Sequence, residues 1–206
     1  MKQRAFWNTT AFDAEGFSAG GFPLALALLF VCALPAWPSA TDAGAGTEPR
    51  LLVDTRELTL TVIQGERPQM TLYNIAIGRY GASLDKRRGD NTTPLGRFRV
   101  TRIQRNSDFH RFIGLDYPGV DRAQKGLSEG VINAAELQSI LGAHRRGKIP
   151  PQGTALGGHI GIHGLGQGDP VLHRTLNWTR GCVALTDKQI DALLSWVQIG
   201  TTVEIR

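Results

Sequence analysis

The stretch NWTRGCVAL, residues 177–185, holds Cys182, one of only two cysteines in the 206-residue chain; the other, Cys32, lies in an N-terminal apolar run. A thiol near its reference pKa of about 8.5 is mostly protonated at neutral pH, so a nucleophilic cysteine needs help. Two kinds are within reach. Cys182 stands four residues before Thr186, near the positive end of an expected helix. His163 ends the apolar run HIGIHG, where an imidazole entering a glycine turn could act as general base or pair as imidazolium with a thiolate. Gly181 lets the main chain approach a substrate closely, and the consecutive amides of TRGC could receive the negative oxygen that forms when sulfur attacks a carbonyl. Nucleophile, base and oxyanion donors together describe acyl transfer.

The elements that must hold these groups follow from periodicity. Abundant glycine (25) and proline (10) favour a turn-rich β fold over a helical bundle. Residues 51–65 give two β-prone runs around a polar TRE, the pattern of a hairpin, and 69–78 alternate in the same way. The polar, glycine-rich segment 79–96 reads as a loop. Residues 97–103 return to a strand with Phe98, Val100 and Arg102 on one side, and FHRFIGLDYPG reads as a strand followed by a turn. Asn133 with Glu136 caps a helix over 133–144. A long flexible loop over 145–158 follows, a candidate lid or binding wall. Residues 159–164 read as a strand that puts His159, Gly161 and His163 on one side. Thr186 with Gln189 opens a helix over 186–200, Gly200 is its stop, and 201–206 close the chain as a strand. This is one β-rich domain with about two helices.

With the elements in place, the motifs are recognisable. GGHIGIHGLGQ and NWTRGCVALTDKQIDAL, joined by an upstream GDNTTPLGRFRV, resemble the L,D-transpeptidase catalytic-domain (YkuD-type) family over roughly residues 50–206. The resemblance implies a mostly β, single sandwich-like domain acting on peptidoglycan stem peptides. It implies Cys182 as nucleophile on a diaminopimelate or lysine carbonyl, with release of a terminal D-alanine and transfer of the acyl group to an amine. It further implies His163 as base, Gly164 orienting that base through a carbonyl, and backbone oxyanion donors at Arg180, Gly181 and Cys182. His159, Gly164, Trp178 and Thr179 are substrate-side candidates. Neither a metal nor an organic cofactor is expected. The sequence departs from the family pattern at Arg180, where many members have a second histidine, and at Ala184, where many carry Arg or Asn. Arg180 is the nearest candidate to supply a carboxylate contact that Ala184 cannot make. Crosslinking, L,D-carboxypeptidase activity and cleavage of a peptidoglycan–protein bond share one acyl-enzyme and stay open.

Plainer readings stand beside these. Cys182 could be a buried inert thiol, and Trp178 simple packing. His173 and His110 read as surface residues, and Pro94 and Gly96 as turn formers. His159, His163, His173 and Cys182 could instead make a zinc site, although the spacings are loose and the H-x-x-x-H pair is on a strand. A non-catalytic wall-binding module would use only the net charge of +5, which is scattered and reads as a solvated basic surface. The expected partners are stem peptides and a wall-attached protein, with no nucleic acid.

Residues 1–40 read as a signal peptide. Lys2 and Arg4 precede an apolar core over Leu24–Leu34, too short to span a bilayer, and Pro35, Pro38, Ser39 and Ala40 resemble a cleavage zone. Asp13 and Glu15 make it long and weakly basic, so an uncleaved anchor is the alternative and the only route to a membrane. Residues 41–49 read as a flexible linker and 50–206 as the catalytic domain, exported to the periplasm or cell envelope. Cleavage would leave Cys182 the sole cysteine, free to react or to pair between molecules.

Overall fold

The structure is a computed structural model that describes residues 48–206. The leader and nearly all of the linker lie outside the described residues. In chain order the strands are β1 (Pro49–Asp54), β2 (Thr59–Gln64), β3 (Arg67–Tyr73), β4 (Ala82–Ser83), β5 (Thr93–Pro94), β6 (Gly96–Ser107) and β7 (His110–Leu115). Helices α1 (Val120–Ser128) and α2 (Ala134–Arg145) follow, then β8 (Gly161–His163), α3 (Pro170–Thr175), β9 (Val183–Ala184), α4 (Asp187–Leu193) and β10 (Thr202–Ile205). Eight strands form one mixed sheet in the order β3-β2-β1-β10-β6-β7-β8-β9, and β4 pairs with β5 separately.

Alternation builds the first half of this sheet. The hairpin around the TRE turn sets Leu51 opposite Val62. The parallel β1–β10 pairing sets Leu51 beside Val203, which lies opposite Phe98 of β6. This apolar row and its neighbour, Leu60, Val53 and Ile205, are buried to at least 95%. Ile190 and Leu193 of α4 belong to the same core. Each such side chain contributes roughly 1.5–3 kcal/mol on burial.

Strand β6 joins the halves. Its first residues pair with β10 and the rest with β7, across an irregularity between Val100 and Arg102. Val100 faces the core, but the extra residue turns Arg102 to the other face. Arg102 therefore leaves the side it was expected to share with Phe98 and Val100. Ile103 opposite Ile113 then resumes the core face.

Both expected capping boxes form, Asn133 with Glu136 and Thr186 with Gln189. The second helix is shorter than its periodicity suggests. It ends at Leu193 in a single 3₁₀ turn, Leu194–Trp196, and Gly200 forms a separate turn whose N–H donates to the Val100 carbonyl at 2.8 Å. Two helices go beyond the sequence reading. The buried face of α1 is Arg122, Ala123 and Gly126, with no aliphatic row to betray it. The six-residue α3 starts at Pro170 behind an Asp169 cap. No helix among the described residues is long and apolar enough to cross a membrane.

Candidate active site

The site lies on the face of the sheet opposite the core. β8 and β9 run parallel with Ile162 level with Val183 and His163 level with Ala184. Ile162 and Val183 are fully buried in the core, so alternation sends His163 to the opposite face. Stepping back one residue on each strand brings Gly161 level with Cys182 on that same face. Both Cys182 and His163 line one cavity of about 1260 Å³.

Cys182 is partly exposed and lines this cavity. Burial pushes the thiol up to about 11, against opposing pulls from the Gly161 amide and the charges of Lys86 and Arg102. The thiol donates to the His159 carbonyl at 3.4 Å. The turn before it is fixed by Thr179, which is 2% exposed. Thr179 Oγ1 accepts the Gly181 N–H at 3.1 Å and donates to the Cys182 carbonyl at 2.7 Å. That commits the Gly181 amide, so of the backbone donors expected from TRGC, Gly181 is withdrawn and Arg180 and Cys182 are left. Gly181 has φ +126°, and a Cβ there would sit 2.6 Å from the Thr92 carbonyl oxygen and 2.9 Å from Lys86 Nζ.

His163 is 3% exposed. Its Nδ1 lies 2.7 Å from the Gly164 carbonyl oxygen. A carbonyl can only accept, which assigns the proton to Nδ1 and the free lone pair to Nε2. Desolvation holds the imidazole below its ordinary value. Phe109 packs on the ring at a centroid distance of 4.3 Å, Phe112 stacks parallel at 6.3 Å, and Trp178 meets it edge-on at 5.8 Å. The following turn is tied to α4: Asp187 Oδ1 accepts from the Leu165 and Gly166 amides at 2.7 and 2.9 Å. A Cβ at Gly164 would lie 2.6 Å from that oxygen.

Other expected residues fall differently. β8 starts at Gly161, so His159 is off the strand; its backbone is left-handed, at φ 57°, and its carbonyl is what meets the sulfur. Its N–H donates to Gln152 Oε1, and Gln152, Gly153, Gly157 and Gly158 form one wall of the cavity. His173 is not at the surface: it is 3% exposed, and its Nδ1 accepts from Trp178 Nε1 at 3.4 Å. It is the buried residue of α3, the helix the sequence reading lacked, and packs against Trp178. His110 is half-buried, paired with Asp191 at 2.9 Å. Among the described residues no three His, Cys, Asp or Glu side chains converge, so the four weighed as a zinc set do not form one.

Lys86, Arg102, Asp187 and the two phenylalanines escape a reading of the sequence motifs. Lys86 lies in the charged run DKRR (85–88), yet it is 3% exposed, bonded to Asp90 at 2.9 Å, and lines the cavity. The cations around the cavity are Arg79, Lys86, Arg88, Arg102 and Arg180, against one acid, Asp108.

Residues 48–205 match the YkuD family, the L,D-transpeptidase catalytic domain. No curated protein matches in sequence. Among solved structures, the helical cell shape determining protein Pgp2 from Campylobacter jejuni aligns with a TM-score of 0.53 at 19% identity, over 79% of this chain and 48% of that one. Bd1075 of Bdellovibrio bacteriovorus aligns at 0.49 and 20%, over 82% and 50%. An L,D-transpeptidase of Enterococcus faecium aligns at 0.43 and 13%, over 77% and 50%. The chain spans about half the length of these proteins. The family match covers most of the chain, including β8, β9 and the Cys182 turn that precedes β9, and this chain belongs to the L,D-transpeptidase catalytic domain family.

Proposed function

We propose that this chain is an exported, cysteine-dependent L,D-transpeptidase that acts on peptidoglycan stem peptides through a thioester. The observation that carries the reading is the register of β8 and β9, which puts His163 and Cys182, the residue just before β9, on one cavity, with Nδ1 of the imidazole fixed by Gly164.

The resting pair is neutral. A thiol pushed up to about 11 and an imidazole held below its ordinary value favour S–H beside a free Nε2 over a thiolate–imidazolium pair. His163 then works as a general base. Nε2 takes the Sγ proton as sulfur attacks the carbonyl of the penultimate residue, a diaminopimelate or lysine. Backbone amides of Arg180 and Cys182 are the remaining donors for the oxyanion. Collapse breaks the C–N bond to the terminal D-alanine, whose amine receives the proton from His163. An acceptor amine attacks the thioester and gives its proton to His163; the C–S bond breaks, and the imidazolium returns the proton to the leaving sulfur. Asp187 acts through the glycine turn, keeping the Gly164 carbonyl where Nδ1 needs it.

The test is incubation of the full chain with disaccharide-tetrapeptide, followed by mass spectrometry of products and protein. A crosslinked dimer, free D-alanine and an acyl adduct on Cys182 are expected. A tripeptide product alone would place the same thioester in a carboxypeptidase. Unchanged turnover by Cys182→Ala would overturn the reading.

A further inference from the structure

The cavity face carries a second row besides Phe112 and His163. Arg102 is level with Gly114 of β7, and Gly114 with Gly161 of β8. Gly161 is level with Cys182. Two glycines thus separate a guanidinium from the sulfur along one line across four strands. The stem of Arg102 lies over the first of them: a Cβ at Gly114 would fall 2.7 Å from Arg102 Cγ and 2.9 Å from Nε. The Phe112 ring lies over the second, 2.5 Å from where a Gly161 Cβ would be. Arg102 is held on that ring, with its guanidinium carbon 4.9 Å from the centroid.

Of the five cations around the cavity, Arg102 is set apart. Lys86 is already paired with Asp90. Arg79, Arg88 and Arg180 are exposed, and Arg88 donates to the Gly153 carbonyl. Arg102 is half-buried and forms no ion pair with any described residue. A planar fork of donors, pre-positioned on an aromatic face and lacking a carboxylate, is suited to receive one in two-pronged fashion. The spacing fits as well. Three strand separations of about 4.8 Å put the backbones of Arg102 and Cys182 roughly 14 Å apart. An extended arginine covers nearly half of that distance, which leaves room for one amino-acid residue between guanidinium and sulfur.

We propose that Arg102 is the carboxylate receptor of the donor subsite, pairing with the C-terminal carboxylate of the residue that leaves when Cys182 is acylated. This rests on the reading of Cys182 as nucleophile. That chemistry requires such a group, because a leaving C-terminal residue carries its free carboxylate one residue beyond the attacked carbonyl. It also moves the carboxylate contact from Arg180, the nearest candidate in sequence, to a side chain 78 positions away that the sheet register delivers.

The experiment compares disaccharide-tetrapeptide with the same compound ending in D-alaninamide, using the full chain and kcat/KM from product formation. The wild type should consume the acid roughly 10- to 100-fold faster than the amide, the range for a hydrogen-bonded charge. Arg102→Ala should erase that gap by slowing the acid alone, and Arg102→Lys should keep part of it. Arg102→Gln serves if the alanine variant does not fold, as judged by its melting curve. An undiminished gap in Arg102→Ala or Arg102→Gln overturns the proposal. So does a wild type that treats both compounds alike while Cys182→Ala is inert, and that result leaves the thiol chemistry standing. Turnover of both compounds by Cys182→Ala removes the enzyme reading first and this inference with it.

Discussion

At the β1–β2–β10 end of the sheet, Leu51, Val53, Leu60, Val62, Val203 and Ile205 interlock in rows, each at most 2% exposed. At the β8–β9 end the strands are three and two residues long, and the positions between Arg102 and Cys182 are glycines. Shape there comes from single polar ties: Thr179 to the cysteine turn, Asp187 to the glycine turn, Gln152 to His159. The first region is redundant, so many side chains share one task. In the second each tie has its own task. Stability and chemistry are therefore separable in this molecule, and substitutions should sort by end.

The largest expected effect is at the sulfur. Cys182→Ala should lower tetrapeptide turnover by at least about 10³-fold while its melting temperature stays near that of the parent. Loss of folding in this variant would mean that the thiol is a packing group. Leu51→Ala should do the reverse. It should cost roughly 2–5 kcal/mol in denaturant unfolding and leave kcat within about twofold at temperatures where the variant is folded. A comparable loss of kcat would show that the two ends are coupled.

Asp187→Asn sharpens the contrast from the other side. The amide accepts more weakly from the Leu165 and Gly166 N–H groups, so His163 loses alignment and kcat should fall about tenfold with little change in KM. An equal rise in KM would argue for a direct substrate contact instead. The smallest effect is a shift in pH profile. Because burial lowers the pKa of His163, the neutral base survives below pH 6.5, and kcat/KM should hold steady there before declining on the acid side. A midpoint above 6.5 would indicate that the ring is not in the enclosed, neutral setting described.

The same division decided what could be read from the chain. Alternation exposed the hairpin and the closing strand, because their faces repeat every two residues and one face is wholly apolar. The capping boxes at Asn133 and Thr186 are local chemistry and needed no partner. The motifs HG and TRGC drew attention to His163 and Cys182, and the structure sets both on one cavity. The bulge before Arg102 left no mark in the pattern, because a one-residue register shift is settled by pairing with β7. The role of Thr179 in withdrawing the Gly181 amide depended on a side chain folding back two residues. Helix α1 buries Arg122 and Gly126 where an amphipathic reading looks for leucines. Pro170 behind Asp169 was a usable start signal for α3, overlooked because one and a half turns carry no periodicity.

The hydrogen held between Cys182 and the His159 carbonyl has a chemical consequence of its own. Oxidation by peroxide and exchange with disulfides both proceed through the ionised form. Burial raises the pKa of this thiol, so the protonated form dominates at neutral pH. Such a centre ages slowly among oxidants. In the mechanism proposed above, its reactivity is created only when a bound amide and the imidazole draw the proton away, so such a molecule would stay dormant until its own reactant arms it.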